Sequence, residues 1–295
     1  MIAISPAQVR LNAQQIAARV RVPVFAVVKA NAYGLGVSAV APAIADVVAG
    51  FCVFSLKEAQ EADLWNLARK PILALGPPYA DAAAEDFLRA HVRPAITTVE
   101  QALRLRAANP IVCVETGMHR FTCSADHFAA VMEASGATEA FTHATRVEQV
   151  RRLQEITAGR NLFLHAAGSS LMDDPECRLS AVRPGIALYR GAVRVTSPIV
   201  EMHEHAEPAG YTGFSAARHG VILMGYRHGL RMGPCLVNGA RRRILEIGMQ
   251  SSYIELSGAE KIGDTVTLLG GELGADELAG EWKCGAQEVM VSLLR

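Results

Sequence analysis

The chain has 295 residues, and its 29 basic and 29 acidic side chains give a formal net charge of zero. A protein that binds nucleic acid mainly by displacing counterions needs a basic surface, so this composition argues against that class. The six cysteines contain no Cys-x-x-Cys pair, which argues against a structural zinc site and, in so long a chain, against a disulfide scaffold. With no signal-peptide pattern and no uninterrupted apolar run long enough for a membrane span, we expect a cytoplasmic protein with no membrane partner.

Short apolar runs alternate with segments of helical periodicity in the first two thirds of the chain. Eight such runs occur, at residues 24–30, 51–56, 71–75, 93–98, 111–115, 140–143, 161–165 and 181–188. Nearly continuous apolar strands separated by amphipathic helices indicate a parallel sheet covered by helices. Eight units predict an α/β fold with a (β/α)8 barrel of the TIM type over residues 1–191, and a doubly wound open sheet is the alternative.

The pattern changes after Gly191. Short β-rich runs separated by glycine-containing turns follow, at residues 199–203, 220–224, 244–247, 253–256, 265–269 and 288–293. No convincing helical pattern lies between them. We therefore predict a smaller, mostly β C-terminal domain at residues 192–295.

Lys29 stands apart from the other four lysines of the chain. It follows four apolar residues and is expected at the carboxyl end of the first barrel strand, where barrel enzymes place their chemistry. Partial burial lowers the pKa of an ammonium group, and the neutral amine is a nucleophile suited to Schiff-base formation. The alternative is a lysine that forms a salt bridge at the barrel rim.

The seventh and eighth predicted strands carry a second group of candidate site residues. Barrels often hold a phosphate in these two loops with backbone N–H groups and a small hydroxyl. Four residues could supply those groups: Gly168, Ser169, Gly185 and Ile186. Arg183 lies in an apolar run and needs a partner if it is buried. The alternative is that Arg183 pairs with a carboxylate for structure alone and that His165 is a satisfied core histidine. Together, a Schiff-base lysine and a phosphate site predict a pyridoxal-phosphate enzyme.

Three motifs carry a resemblance to bacterial alanine racemases, which are pyridoxal-phosphate enzymes of fold type III. Residues 27–34 (VVKANAYG) look like the cofactor-lysine motif of that family, and residues 115–120 (ETGMHR) are similar to its strand-five motif. Residues 183–189 (RPGIALY) match its strand-eight motif nearly residue for residue, and weaker similarity continues at residues 209–213 (AGYTG) and 224–226 (MGY). The chain is thereby identified as a short, divergent member of the alanine racemase family.

The resemblance implies two catalytic residues. Lys29 would hold the cofactor as a Schiff base and act as the base on one face of the substrate α-carbon. Tyr211 would be the opposite base, contributed across the interface of a head-to-tail homodimer. A tyrosine base needs a lowered pKa, and His119 and His165 are the candidate cations that could lower it.

The resemblance also implies the cofactor and substrate contacts. The phosphate contacts correspond to four residues: Tyr33, Ser169, Gly185 and Ile186. His165 would orient Arg183, which would face the pyridine nitrogen of pyridoxal 5'-phosphate. Arg120 would hold the cofactor's phenolic oxygen and help to receive the substrate carboxylate, and Met249 would lie close to the substrate.

The implied activity is that of an isomerase that interconverts L- and D-alanine and so serves D-alanine biosynthesis. Two bases on opposite faces can remove one proton and return another without turning the substrate over. No metal is expected, because the histidines lack carboxylates at ligand-like spacing. The alternatives are racemisation of another amino acid or of several, or a cofactor-binding relative with little turnover.

Four positions depart from the family pattern. Cys113 stands where the family often has a carbamylated lysine, so the negative charge that would support Arg120 is missing or supplied differently. Gly168 replaces a usual asparagine, Gln250 a usual aspartate and Gln287 a phosphate-contacting tyrosine. These departures bear on the identity of the substrate more than on cofactor binding.

Overall fold

The computed structural model describes residues 1–205 and 207–294, which divide into two compact units. Residues 9–32 and 36–188 form one unit, called here the barrel unit. Residues 1–8, 33–35 and 189 onward form the other, called here the β unit. In the described part of the chain, no helix is both long enough and apolar enough to cross a bilayer.

The two units contain fourteen strands, twelve α-helices and three short 3-10 helices among the described residues. The strands are β1 (Ile2–Ile4), β2 (Phe25–Val27), β3 (Gly50–Val53), β4 (Ile72–Ala74), β5 (Val92–Ile96), β6 (Ile111–Cys113), β7 (Glu139–Ala144), β8 (Phe163–Ala167), β9 (Val193–Glu204), β10 (Arg218–Ile222), β11 (Pro234–Val237), β12 (Ala240–Ile247), β13 (Ser252–Glu255) and β14 (Thr265–Leu269). The helices are α1 (Pro6–Val20), α2 (Lys29–Tyr33), α3 (Val37–Ile44), α4 (Leu56–Glu61), α5 (Leu64–Ala68), α6 (Ala84–Arg89), α7 (Val99–Leu105), α8 (Ala125–Ser135), α9 (Val147–Ile156), α10 (Ile186–Tyr189), α11 (Ala275–Trp282) and α12 (Ala286–Leu293).

Seven parallel strands, β2 to β8, form the sheet of the barrel unit in chain order. The eighth predicted strand makes only isolated parallel bridges, from Val182 to Val24 and from Ala181 to His165. The backbone N–H of Phe25 also donates to the carbonyl of Val182 at 2.9 Å. This segment therefore lies between β8 and β2 and closes the sheet, so the predicted (β/α)8 barrel is confirmed. The extended run ends before residue 188, because α10 begins at Ile186.

Helices cover this sheet with one apolar face each, as the periodicity predicts. In α1 the buried residues are Val9, Ala13, Ile16 and Val20, which are spaced by four, three and four positions. That spacing places them on one face of a helix, so the rest of α1 can stay in water. The strands are short and mostly buried, and β2, β3, β4 and β6 bury every residue.

The β unit is built on an antiparallel sheet in the order β1-β9-β10-β13-β12-β11-β14. A further pairing of β14 with β9 closes this sheet on itself. Strand β1 pairs with β9 through Ile2 and Val195, so the first strand of the chain belongs to the C-terminal sheet. The sequence pattern did not indicate that pairing.

The prediction that the C-terminal region lacks helices is wrong. Residues 288–293, read as a strand, belong to helix α12, and α11 precedes it. Val289, Met290 and Leu293 are buried at helical spacing, as are Leu278 and Trp282 in α11. A short apolar run fits either a strand or a helix, and here the buried residues recur every three or four positions, which is the spacing of a helix.

Candidate active site

Lys29 follows strand β2 at the carboxyl end of the barrel, as predicted. The side chain is half-buried. Burial lowers the pKa of its ammonium group, and the nearby positive charges of Arg120 and Arg183 lower it further, against an opposing effect of Glu58. No ion pair of Lys29 occurs within residues 1–205 and 207–294, which leaves the alternative of a salt-bridged rim lysine without support.

The backbone after Lys29 makes a left-handed turn. Ala30, Asn31 and Ala32 have φ angles of 52°, 53° and 55°, a region that costs a residue with a Cβ about 1–2 kcal/mol. Two side-chain contacts hold this turn. The carboxylate of Glu58 accepts from the N–H of Ala30 at 3.0 Å, and Asn31 Oδ1 accepts from the N–H of Val37 at 2.9 Å. Because such strain persists only where neighbours over-determine the backbone, the direction in which Lys29 leaves the strand is fixed.

Arg183 is buried inside the barrel and is fully engaged. Its Nη1 lies 2.7 Å from His165 Nδ1, and its Nη2 donates to the carbonyl of Thr142 at 2.5 Å. Its Cζ lies 4.7 Å from the ring centroid of Phe141. Beyond it, His165 Nε2 lies 2.8 Å from Glu139 Oε1. The predicted contact between His165 and Arg183 is therefore present, and the buried carboxylate of Glu139, which was not predicted, completes the chain of side chains.

The candidate cation His165 does not carry a charge in this setting. Burial, with the neighbouring charge of Arg183, lowers its pKa to about 4. The ring is therefore neutral near pH 7, and the suggestion that it could serve as a cation for Tyr211 is wrong. The other candidate, His119, is exposed on the barrel unit, with Nδ1 3.8 Å from Glu115 Oε1.

The predicted phosphate-binding loops meet at Ser169. Its hydroxyl oxygen accepts from the N–H of Gly185 at 3.0 Å and from that of Ala187 at 3.2 Å. Ile186 begins α10 between these two residues. Tyr33 belongs to the β unit, where its ring centroid lies 5.0 Å from that of Tyr189.

Arg120 is exposed, and its Cζ lies 5.9 Å from the ring centroid of Phe121. No carboxylate pairs with Arg120 in the described part of the chain. Burial raises the pKa of the Cys113 thiol to about 12, so this residue is neutral and supplies no negative charge. The nearby carboxylate of Glu115 accepts instead from its own turn, from the N–H of Gly117 and the hydroxyl of Thr122 among others.

His143, at the end of β7, is a candidate site residue that the sequence analysis missed. Its side chain is exposed at the surface, but desolvation by the protein around the ring, followed by the positive charges of Arg183, Lys29 and Arg120, lowers its pKa to about 4. A neutral histidine therefore borders the same cluster of cations. A lone histidine in a strand forms no motif, and the available signal was its position at the carboxyl end of the sixth predicted barrel strand.

Tyr211 and Met249 lie in the β unit. The Tyr211 side chain is 93% exposed, so it is not packed between its flanking glycines. Its backbone N–H donates to Glu246 Oε1 at 2.9 Å. Met249 is 57% exposed, and Gln250 is exposed beside it. No group of three or more potential metal ligands occurs among the described residues.

Comparison with known proteins agrees with the motifs. Residues 4–193 match the family model described as the N-terminal domain of alanine racemase. The alanine racemase of Pasteurella multocida (strain Pm70) is 30% identical over 87% of this chain and 85% of its own length. That of Mannheimia succiniciproducens is 28% identical over 92% of this chain and 89% of its own.

Solved structures share the fold over nearly the whole chain. The biosynthetic alanine racemase of Pseudomonas aeruginosa has a TM-score of 0.87 at 23% identity and covers 99% of this chain and 96% of its own. The alanine racemase of Bartonella henselae, described with covalently bound pyridoxal phosphate, has a TM-score of 0.89 at 21% identity with the same coverage. The family model and the sequence relatives together decide the assignment: this chain belongs to the alanine racemase family.

Proposed function

We propose that this chain is a pyridoxal-phosphate-dependent racemase that interconverts L- and D-alanine. The observation that carries the proposal is the half-buried amine of Lys29 at the carboxyl end of β2, with its pKa lowered by burial and by nearby arginines. An amine whose pKa is lowered loses its proton more readily, and the neutral amine can attack a carbonyl carbon. The sequence relatives are alanine racemases, which supports the same substrate here.

The barrel residues fit the charge of this cofactor. Lys29, Arg120 and Arg183 place positive charges near one another, which suits a molecule that carries a phosphate and a phenolate. When bound, pyridoxal phosphate draws electron density from the substrate α-carbon and makes its proton removable. Lys29 would hold the cofactor covalently, and Arg120 would receive the phenolic oxygen and the substrate carboxylate.

The remaining contacts follow from the loops at Ser169. The Ser169 hydroxyl, with the N–H groups of Gly185 and Ile186, would hold the phosphate, and the phenol of Tyr33 would add a further contact. Arg183 would face the pyridine nitrogen. Because a guanidinium group only donates hydrogen bonds and keeps its proton, Arg183 would leave that nitrogen unprotonated. This arrangement favours return of a proton to the α-carbon over transamination.

Two bases would complete the reaction. Lys29 would serve one face of the α-carbon and Tyr211 the other, as racemisation without rotation of the substrate requires. The 93% exposure of Tyr211 leaves its phenol accessible to a second molecule. We therefore propose a homodimer in which each chain supplies Tyr211 to the site of its partner, with Met249 close to the substrate, so that two-fold symmetry makes two equal sites.

Arg120 supports a second candidate, a racemase that acts on several amino acids. The guanidinium group is exposed and has no carboxylate partner in the described part of the chain. A less rigid Arg120 would fix the substrate carboxylate less strictly and leave room for larger side chains. Gln250 replaces the aspartate that is usual in the family, at a position that the resemblance implies is close to the substrate.

We place the enzyme in the cytoplasm. All six cysteines are unpaired thiols, as expected in a reducing compartment.

The decisive experiment measures exchange of the α-proton of L-alanine for deuterium by NMR in the cofactor-loaded protein, with chiral analysis of the product. Exchange with D-alanine appearing is the expected result. Exchange with several amino acids, whether or not alanine is among them, would select the second candidate. Bound cofactor with no exchange on any amino acid would overturn both and leave a cofactor-binding protein.

A further inference from the structure

Tyr211 lies in a short turn of the β unit that is closed by a bridge between Ala209 and Phe214. The N–H of Ala209 donates to the carbonyl of Phe214 at 2.9 Å. Gly210 and Gly213, which flank the tip of the turn, have φ angles of 72° and 70°. Because the Tyr211 ring is 93% exposed, packing within its own unit cannot fix the direction of its phenol. The backbone of the turn has to do so.

One buried carboxylate holds that backbone. Glu246 is 5% exposed and lies on β12, 35 residues along the chain from Tyr211. Its Oε1 accepts from the N–H of Tyr211 at 2.9 Å, and its Oε2 accepts from the N–H of Thr212 at 2.7 Å. The hydroxyl of Thr212 donates to the same Oε2. Three donors from two consecutive residues therefore converge on one side chain.

The surrounding backbone is shaped for this contact. A Cβ at Gly210 would lie 2.7 Å from Glu246 Oε1 and 2.8 Å from Oε2, so only glycine leaves room for the carboxylate. Across β12 and β13, Ile244 pairs with Ile254 and Glu246 with Tyr253, which leaves Leu245 as an extra residue. Such a bulge redirects the side chain beside it.

Glu246 has no cationic partner among the described residues. Burial by itself raises the pKa of its carboxyl group, but the hydrogen bonds from Thr212 and Tyr211 outweigh burial and lower it. A buried, ionised carboxylate that meets only neutral donors is an expensive arrangement for folding alone. The donors that stabilise it all belong to the residue proposed as the second base and to its neighbour.

We propose that Glu246 is a positioning residue that holds the Tyr211 turn and thereby aims the phenol at the substrate. The proposal rests on the proposed function, in which Tyr211 is the second base. Misplacing a catalytic group by about 1 Å lowers a rate by about 100-fold. Glu246→Gln replaces one acceptor oxygen with an amide that cannot accept from a backbone N–H. We expect it to slow α-proton exchange by about 10- to 100-fold for one enantiomer of alanine, the same one that Tyr211→Phe slows.

The first readout is amide hydrogen exchange of Tyr211 and Thr212 in the full-length, cofactor-loaded enzyme, and it does not depend on activity. Because glutamine keeps one acceptor oxygen, hydrogen exchange should become at least about tenfold faster at whichever of the two amides loses its acceptor. Unchanged hydrogen exchange at both amides in Glu246→Gln would show that Glu246 does not hold the Tyr211 turn, whatever the role of Tyr211, and would overturn the proposal.

The second readout is a double-mutant cycle. If Glu246 acts through Tyr211, then Glu246→Gln should have no further effect on α-proton exchange in a Tyr211→Phe background. An equal loss for both enantiomers that persists in Tyr211→Phe would show a structural role and overturn the proposal. If Tyr211→Phe slows α-proton exchange for neither enantiomer, the assignment of Tyr211 as a base in the proposed function fails. Amide hydrogen exchange would still show whether Glu246 holds the Tyr211 turn.

Glu260 offers a matched control in the same unit. It is 6% exposed and accepts from the N–H groups of Ser257 and Gly258, each at 2.9 Å, in a turn that carries no site residue. Glu260→Gln should lower stability without favouring one enantiomer. If Glu246→Gln does not fold, Thr212→Val removes only the hydroxyl donor and should give a smaller, still enantiomer-selective loss.

Discussion

Arg183 Nη1 lies 2.7 Å from His165 Nδ1, and this contact determines where the protons of a buried chain reside. Because arginine only donates, Nδ1 accepts and the imidazole proton resides on Nε2, which donates to Glu139 at 2.8 Å. Glu139 in turn forms an ion pair with Arg93. Neutral His165 therefore links one buried arginine to a carboxylate that a second arginine already neutralises.

The buried side chains that link Arg183, His165 and Glu139 predict that the free energy of unfolding falls as the solution becomes acidic. Burial and Arg183 hold the pKa of His165 at about 4, below its usual 6.5, so between these values the unfolded chain binds the extra proton more readily. The stabilisation is complete above about pH 6.5 and is lost as the pH falls toward 4, by about 3 kcal/mol. Urea unfolding of the protein at pH 7.5 and at pH 5 should show the loss.

A His165→Asn chain provides the comparison, because its amide oxygen can still accept from Arg183 but does not titrate in this range. Its free energy of unfolding should be lower at pH 7.5 and should change less between pH 7.5 and pH 5. If both proteins lose the same stability on acidification, another group is responsible and the neutral state of His165 is wrong.

Lys29→Ala should abolish the visible absorbance of bound pyridoxal phosphate, since the covalent attachment depends on this amine. Lys57→Ala is the matched control. Lys57 lies on α4, is 68% exposed and pairs with Glu61 at 3.6 Å. Reconstitution of both variants with the cofactor, followed by spectroscopy after gel filtration, should leave the band in the Lys57 variant alone. Retention of the band without Lys29 would contradict the assignment.

The thiols predict a simple labelling pattern. Burial raises the pKa values of Cys52, Cys113 and Cys235 to about 12 and that of Cys123 to about 11. At pH 8 these groups are neutral and shielded, so iodoacetamide should modify Cys284, the one cysteine that is not buried, far faster than the other five. Mass spectrometry of the folded protein would measure this. Rapid labelling of Cys113 would show that its side chain is open and could be a thiolate.

The barrel and its main residues could be predicted because each has a local signal. Apolar runs at regular intervals mark the strands, and Lys29 and Arg183 are polar residues in otherwise apolar runs near strand ends. Helix α12 was missed because its apolar residues are few and contiguous enough to resemble a strand.

The supporting residues have no such local signal. Glu246 meets the Tyr211 turn only because of a bulge in β12, and Glu139 reaches His165 across neighbouring strands. Which way a strand residue faces depends on register, and a shift of one position sends its side chain to the other side of the sheet. A glutamate in a strand pattern therefore does not reveal what it will contact.

Hybrid dimers test whether the two bases come from different chains. A mixture of Lys29→Ala and Tyr211→Phe chains should regain activity that neither has alone, because one site of each hybrid dimer combines an intact lysine with an intact tyrosine. With equal mixing, about a quarter of all sites would be intact. Racemase assays after subunit exchange, verified by mass spectrometry of tagged chains, would measure the recovery. Tyr79→Phe, which alters an exposed tyrosine of the barrel unit, should be active without mixing. Verified hybrids with no recovery would show that each chain builds its site alone.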